Sequence, residues 1–363
     1  MIRFFKIVFV FIMSLTIFSC NKAGDDPVEA YVVPYAEQYP VDLAAIDKYL
    51  DEYHMDVSSN KDVTFTKIPT PNTANLQTIR VQYALDLHTK TVNSNGVDYK
   101  VYYVNISDTS DPEHDYYGDG ENPTSVDSIF VSYKGEYIYT KKEEIVPVTN
   151  PITYNSFIAS TPFDQAQNPV WIKLYQYVNE DVIRGWKEIF PLFKSGTHTT
   201  NLDGSVNYDN YGSGVMFLPS GLAYYNSARG SIPSYSPLIF SFKLNNINYV
   251  DHDYDGIDSK YEGFDLITGQ STNLDTDGDG RLDYLDQDDD GDSYLTKFEI
   301  KKPTPFLGTS LYYPFSPIAD NPATPTIDES EPKGIPNASG DGVTTTRLRR
   351  HLDRNSHPPF TTY

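Results

Sequence analysis

The chain has a single cysteine, Cys20, which excludes an intrachain disulfide framework and any multi-cysteine metal site. Positive charge is also scarce. Lys and Arg number 28 against 50 Asp and Glu, a net charge of −22. A phosphate backbone would be repelled, so nucleic acid is excluded as a partner. Long apolar runs are missing as well. The one nearly unbroken run, residues 7–18, is shorter than the ~20 residues a bilayer-spanning helix needs. The 7 His and many Ser sit in no recognisable nucleophile motif, which discounts a hydrolase triad. Aromatic area, by contrast, is plentiful, with 30 Tyr and 19 Phe. With 39% hydrophobic residues over 363 positions, the composition suits a soluble globular protein of two or three modules.

The first twenty residues read as an address. Arg3 and Lys6 form a positive n-region, and the short apolar run is a signal-peptide h-region. The run ends at Ile17-Phe18-Ser19-Cys20. This resembles a bacterial lipobox, which implies cleavage before Cys20 and lipid (palmitate) attachment to it. The expectation is a chain anchored to the cell envelope at the outer membrane, periplasmic or surface-facing, and not spanning it. The signal would be residues 1–19 and a polar tether 20–40.

Residues 41–93 read as a helical and extended extension. Leu43, Ile46, Tyr49 and Leu50 share one helical face, with Asp42 as its N-cap. From 94 to 249 the pattern turns to strands with one helix. Ile129, Val131 and Tyr133 alternate with Phe130 and Ser132. Leu238, Phe240, Phe242 and Leu244 predict a half-buried antiparallel strand. Asp181 to Lys194 predicts a short helix capped by Asn179, with Pro191 expected to kink or shorten it.

Three stretches of this middle region resemble the FKBP-type peptidyl-prolyl cis-trans isomerases. They are Val131-Ser132-Tyr133-Lys134-Gly135, then Val182-Ile183-Arg184-Gly185-Trp186, then Leu218-Pro219-Ser220-Gly221-Leu222-Ala223-Tyr224 followed by Ile232-Pro233 and Leu238-Ile239-Phe240. The layout is similar to isomerase lipoproteins of gliding, Bacteroidetes-type bacteria. The resemblance implies an α+β fold, an antiparallel sheet wrapped on a short helix. It also implies a pocket with Trp186 as its floor and Tyr133, Phe240, Val182 and Ile183 as its walls. Tyr224 would donate its hydroxyl to a substrate carbonyl, and Ile232 would lie beside it. Phe163-Asp164 resembles the family's F-D pair, with Asp164 either polarising the twisted carbonyl or ordering Tyr133. The family's further pocket aromatic falls at Val170 or Trp171, and size favours Trp171. The family reaches F-D soon after Y-x-G, so residues 141–162 read as an insertion able to contact substrate. No cofactor is implied for catalysis. The implied partners are proline-containing polypeptide clients and, through the lipid, the membrane. A non-catalytic binder of proline segments, or a calcium-stiffened surface lipoprotein in a motility or adhesion assembly, are the alternatives.

The negative charge is concentrated. Residues 251–292 hold 14 Asp and Glu262 against Lys260 and Arg281, a net of −13. Asp251, Asp253, Asp255, the Ile257 carbonyl and Glu262 follow the D-x-D-x-D-G-x5-E calcium loop. Asp275, Asp277, Asp279, the Arg281 carbonyl and Asp286 repeat it. A third loop starts either at Asp288, with Asp290, Asp292, the Tyr294 carbonyl and Glu299, or at Asp286 using Gly291 as its turn. Strung this closely, the loops resemble thrombospondin type 3 repeats. Hard oxygen ligands in such number suit structural Ca²⁺. Carboxylates this dense repel one another and need a cation to stay compact. The expectation is an irregular calcium-loop segment over 250–300, then an irregular Pro-rich and basic tail over 301–363.

Overall fold

The computed structural model describes residues 31–106, 118–144, 154–175, 182–302, 310–315, 334–336, 338 and 348–360. The lipobox, Cys20 and Asn179 lie outside them. No helix among the described residues is long and apolar enough to cross a membrane.

The frame is a six-stranded antiparallel sheet in the order β3-β4-β9-β10-β5-β6. Its strands are β3 (Leu87–Ser94), β4 (Val97–Asn105), β5 (Ser128–Glu144), β6 (Tyr154–Lys173), β9 (Gly212–Leu218) and β10 (Leu238–Asn248). A hairpin of β1 (Tyr53–Val57) and β2 (Val63–Lys67) and a small ribbon of β7 (Thr197–Thr200) and β8 (Val206–Asp209) flank it. The helices α1 (Tyr35–Glu52), α2 (Ile79–Gln82), α3 (Arg184–Ile189) and α4 (Thr296–Glu299) complete the fold. The α+β expectation matches this arrangement.

β10 is not half-buried. Every residue from Leu238 to Ser241 is buried, because both faces of the sheet are covered. On one face Leu238, Phe240, Phe242 and Leu244 pack with Trp186, Phe190 and Phe193. On the other, Ile239, Val215 and Phe217 pack with Ile46, Tyr49 and Leu50 of α1. Alternation on a strand marks only one buried face; the second is buried here because α1 supplies a covering layer.

α1 starts at Tyr35, inside the stretch read as a tether, and runs through Pro40. Asp42 is therefore an interior residue and not an N-cap. Its carboxylate is buried and accepts hydrogen bonds from Gln38 Nε2 (2.6 Å), Ser220 N (2.7 Å) and Ser220 Oγ (2.6 Å). β3 likewise begins before residue 94, so the sheet draws its edge from the stretch read as an extension.

The insertion at 141–162 is largely strand. β5 continues to Glu144 and β6 returns from Tyr154, pairing Glu144 with Tyr154 and Tyr137 with Thr161. This ribbon packs on α1 and β1, where Tyr49 of α1 and Ser160 are hydrogen-bonded at 3.0 Å and the Tyr53 hydroxyl of β1 donates to the Ile158 carbonyl at 3.0 Å. None of its described residues lines the pocket.

α3 is shorter than the predicted helix. It tightens into a 3₁₀ turn at Phe190–Leu192, where Pro191 lacks the donor an α-helix would need. A six-residue helix leaves most of its carbonyls without intrahelical partners. Neighbouring segments satisfy them. Lys90 Nζ donates to the Glu188 carbonyl at 2.8 Å and Gln270 Nε2 donates to the Lys187 carbonyl at 3.0 Å. Lys90 also pairs with the Glu188 carboxylate at 3.0 Å. The acidic segment thus docks on α3, an arrangement reinforced by Ser125 N donating to the Gly269 carbonyl at 2.8 Å and by a small cluster of Val126, Phe264 and Tyr284.

Described residues of the basic tail pack against the acidic segment. Arg354 Nε donates to the Asp290 carbonyl at 2.9 Å, and the buried Arg350 guanidinium lies over the rings of Phe360 (4.1 Å) and Tyr313 (5.1 Å).

Candidate functional site

Sheet register builds the first wall of a cavity. Tyr133 pairs across β5–β6 with Ala166 and Gly135 pairs with Asp164. Tyr133 and Asp164 are therefore diagonal neighbours, and the Tyr133 hydroxyl donates to Asp164 Oδ2 at 2.7 Å. The long β5–β6 ribbon carries the chain away after Gly135 and brings it back at Phe163, which explains the thirty-residue separation. Of the two roles expected for Asp164, the hydrogen bond is the one that orders Tyr133. Burial, and then the Asp164 carboxylate, push the Tyr133 hydroxyl well above the ordinary tyrosine range.

Gly135 is required by close approach. A Cβ there would lie 2.6 Å from Phe163 Cζ and 2.8 Å from Phe240 Cε1. The two rings meet edge-on over the glycine, with centroids 5.6 Å apart and planes at 88°. Gly185 plays the matching part on α3, because a Cβ would strike the Leu218 side chain of β9 at 2.5 Å. That contact seats the helix on the sheet and fixes Trp186. The indole meets Tyr133, Phe190 and Phe240 edge-on, each with centroids 5.1 Å apart. It is only 6% exposed, and its Nε1 finds no acceptor.

These residues enclose a cavity of about 570 Å³ lined by Tyr133, Phe163, Asp164, Trp171, Ile172, Lys173, Val182, Ile183, Trp186, Tyr224 and Phe240. Nine of the ten residues expected at the pocket line it. Ile232 does not. It is buried in the core beside the site, because its short Arg229–Ile232 turn folds back on itself. Trp171, not Val170, reaches the cavity, and it is half exposed at the rim against Phe130 (4.9 Å). Ile172 and Lys173 were not anticipated, since their place depends on the β6 register alone. Tyr224 sits on the loop after β9 with the Arg229 guanidinium 5.5 Å over its ring. The arrangement is an open, aromatic-lined cleft of mixed polarity with a hydroxyl at one edge and an ordered Tyr–Asp pair at another.

The acidic segment repeats one hydrogen-bond scheme. In loop one, Asp251 accepts from Tyr254 N (2.7 Å) and Gly256 N (3.0 Å), and Asp255 accepts from Ile257 N (2.8 Å). In loop two, Asp275 accepts from Gly278 N (2.8 Å) and Gly280 N (3.1 Å), and Asp279 from Arg281 N (2.7 Å). In loop three, Asp288 accepts from Asp292 N (3.2 Å) and Ser293 N (3.0 Å), and Asp292 from Tyr294 N (2.6 Å). The sixth position is left-handed in all three, with φ of 103° at Gly256, 98° at Gly280 and 79° at Ser293. Gly291, the sixth position of the register from Asp286, is left-handed as well (φ 66°), so the start at Asp288 rests on its hydrogen bonds and on its convergence with Asp290 and Asp292, with Ser293 in a turn usually left to glycine.

Carboxylate oxygens converge in three groups, Asp275/Asp277/Asp279, Asp288/Asp290/Asp292, and Asp253/Asp255/Glu262/Asp289. Asp251, both of whose oxygens accept backbone hydrogens, is outside its expected group. Asp286 is outside the second, drawn off by Asp288 N (3.1 Å) and Arg281 (3.7 Å). Glu299 lies outside the third, fully buried, with neither oxygen partnered. Burial, and then Asp290, Asp292 and Asp288, push its carboxyl up to about 9. The Tyr294 ring stacks on His357, while Ile257 is buried against Ile300. Asp289 was missed, because its partners lie far upstream in the chain. Oxygen-only donor sets of this kind fit a hard divalent cation.

A family described as BamM C-terminal matches residues 252–326. No curated protein matches the chain. Among solved structures, the chain is similar to a peptidyl-prolyl cis-trans isomerase from Pseudomonas syringae pv. tomato at 16% identity, with a TM-score of 0.27, covering 46% of this chain and 86% of that one. It is similar to FkpA from Escherichia coli at 23% identity, again with a TM-score of 0.27, covering 47% of this chain and 55% of that one. Likeness of this degree carries no weight for activity, and the functional reading rests on the cavity.

Proposed function

We propose that the chain is a peptidyl-prolyl cis-trans isomerase of FKBP type that acts on X-Pro bonds of exported proteins. The carrying observation is the aromatic cavity on Trp186, bordered by the Tyr133–Asp164 hydrogen bond. An X-Pro bond isomerises across a barrier of ~18–20 kcal/mol set by amide resonance. Twisting the bond removes resonance and makes the imide less polar. An aromatic hollow of Trp186, Phe163 and Phe240 favours that twisted form over the planar one. Trp186 supports the pyrrolidine ring, the Tyr224 hydroxyl donates to a flanking carbonyl, and the Tyr133–Asp164 pair fixes one wall. No proton is transferred.

The reading includes a lipid anchor at Cys20, placement in the cell envelope, and Ca²⁺ as a structural ion in the acidic loops, for which the buried unpartnered carboxylates speak. A prolyl-peptide isomerisation assay on the mature chain is the test. Wild type is expected to exceed the Trp186→Leu, Tyr224→Phe double variant by at least tenfold, and equal rates would discard the enzyme. A second reading, grip on proline segments without turnover, is favoured by the exposed Trp171 at the rim. It predicts peptide binding by wild type with no rate enhancement.

A further inference from the structure

The first calcium loop is not closed by its own residues. Asp253, Asp255 and Glu262 converge with Asp289, which belongs to the third loop, and one oxygen from each lies within 4.8 Å of the others. All four are more than nine-tenths buried, at 6%, 1%, 4% and 2% exposure. Asp253 Oδ2, Asp255 Oδ2 and both oxygens of Glu262 and of Asp289 have no hydrogen-bond partner among the described residues. Four buried carboxylates gathered this closely are unfavourable without a cation. Each isolated charge costs several kcal/mol to bury and its neighbours repel it. They also supply the oxygen number that a Ca²⁺-sized ion takes.

Asp289 has a second consequence through its neighbours. Asp288 and Asp290 turn their carboxylates into the third group, with Asp292, while Asp289 between them turns into the first. Three consecutive residues therefore serve two sites. The same stretch is tied down by Thr296 N donating to the Gln287 carbonyl (2.8 Å) and by Gln287 Nε2 donating to the Asp253 carbonyl. An ion held by Asp289 fixes the backbone that presents Asp288 and Asp290.

We propose that Asp289 is a cross-loop ligand of a divalent-cation site formed with Asp253, Asp255 and Glu262, and that this site and the Asp288/Asp290/Asp292 site bind with positive cooperativity. The proposal rests on the reading of the acidic segment as calcium loops. Coupling of this kind is reciprocal, so a lesion at either site must weaken the other by the same factor.

The test is calorimetric titration of the full mature chain, freed of metal, with CaCl₂. Asp289→Asn is expected to remove one tight site and to weaken a second by about tenfold, within the usual range of coupling between sites. Asp279→Asn, at an exposed acid of the remaining group, is expected to remove one site and leave the coupling of the other two unchanged. Asp265→Asn, an equal loss of charge at an exposed acid of the same segment, sets the baseline. Asp290→Asn, which keeps Asp289, must in turn weaken the first site, and it carries the test if Asp289→Asn does not fold. An Asp289→Asn isotherm matching Asp265→Asn overturns the cross-loop ligand while leaving calcium binding intact. Loss of one site with no change at the other overturns the coupling. No binding by wild type overturns the calcium reading itself.

Discussion

Asp42 accepts both the backbone and the hydroxyl hydrogen of Ser220, at 2.7 and 2.6 Å, across 178 residues of sequence. The bond joins α1 on one face of the sheet to the loop that carries Tyr224 on its way to the pocket. Burial raises the Asp42 carboxyl from its ordinary value, while Ser220 and Gln38 oppose that shift. A buried acid with three donors is a clamp, because removing it leaves those donors unsatisfied.

Asp42→Ala is therefore expected to cost about 3 kcal/mol of stability, the scale of lost charge-assisted hydrogen bonds plus stranded donors. Urea denaturation measures it. Asp42→Asn, which keeps an acceptor for Ser220, should recover part of the loss. A midpoint unchanged in Asp42→Ala would show that the clamp contributes nothing.

Gly135→Ala puts a methyl where Phe163 and Phe240 now meet the backbone. Overpacking of this kind costs about 1–3 kcal/mol, and here the relief available is displacement of pocket rings. The expected outcome is a folded protein with at least tenfold weaker proline-peptide turnover, read by the isomerisation assay beside a circular dichroism spectrum.

The isomerisation rate should be flat between about pH 6 and 9. The chemistry transfers no proton, and the Tyr133 hydroxyl is held above its usual range, so it stays protonated throughout. A bell-shaped profile in that window would point to acid–base chemistry and away from strain of the imide bond.

Metal-free protein should lose stability as pH rises. Burial, and then neighbouring carboxylates, lift Asp289 from an ordinary 3.8 to about 10. Its folded form thus binds a proton that the unfolded form has released over that interval. Stability is fully present below pH 4 for this group and is lost progressively up to about 10, with a slope of at most about 1.4 kcal/mol per pH unit. With saturating Ca²⁺ the group is ionised in both states and the slope should vanish. Urea melts at pH 5, 7 and 9, in EDTA and in CaCl₂, make the comparison.

Much of the pocket was legible because its motifs encode contacts that admit few residue types. Gly135 and Gly185 stand where ring and strand leave no room for a Cβ, so Val-x-Tyr-x-Gly and Val-Ile-x-Gly-Trp carry packing information in five letters. The loop scheme was legible for a similar reason, since alternate carboxylates and a left-handed sixth position are local requirements. What escaped was long-range. Asp42 reads as a cap until Ser220 is beside it, and Asp289 reads as a spacer until Glu262 is. The burial of both faces of β10 escaped too, because alternation at Leu238–Leu244 gives no sign of a second covering layer. The extension of α1 back to Tyr35 was hidden by Pro40, which a helix tolerates when a buried stripe further on holds it.

The hydrogen bond from Gln270 to the Lys187 carbonyl has a bearing on how this polypeptide is inherited and expressed. A cut after residue 249 would strip a donor from the helix under the binding hollow and bare the apolar side of Pro191, against which Gly269 lies. Recombination that swapped the carboxy-terminal third for an unrelated sequence would meet the same penalty. The boundary that composition draws at 250 is thus a change of chemistry without a change of folding unit, and truncations meant to isolate the sheet and its cavity should retain the stretch through at least Gln270.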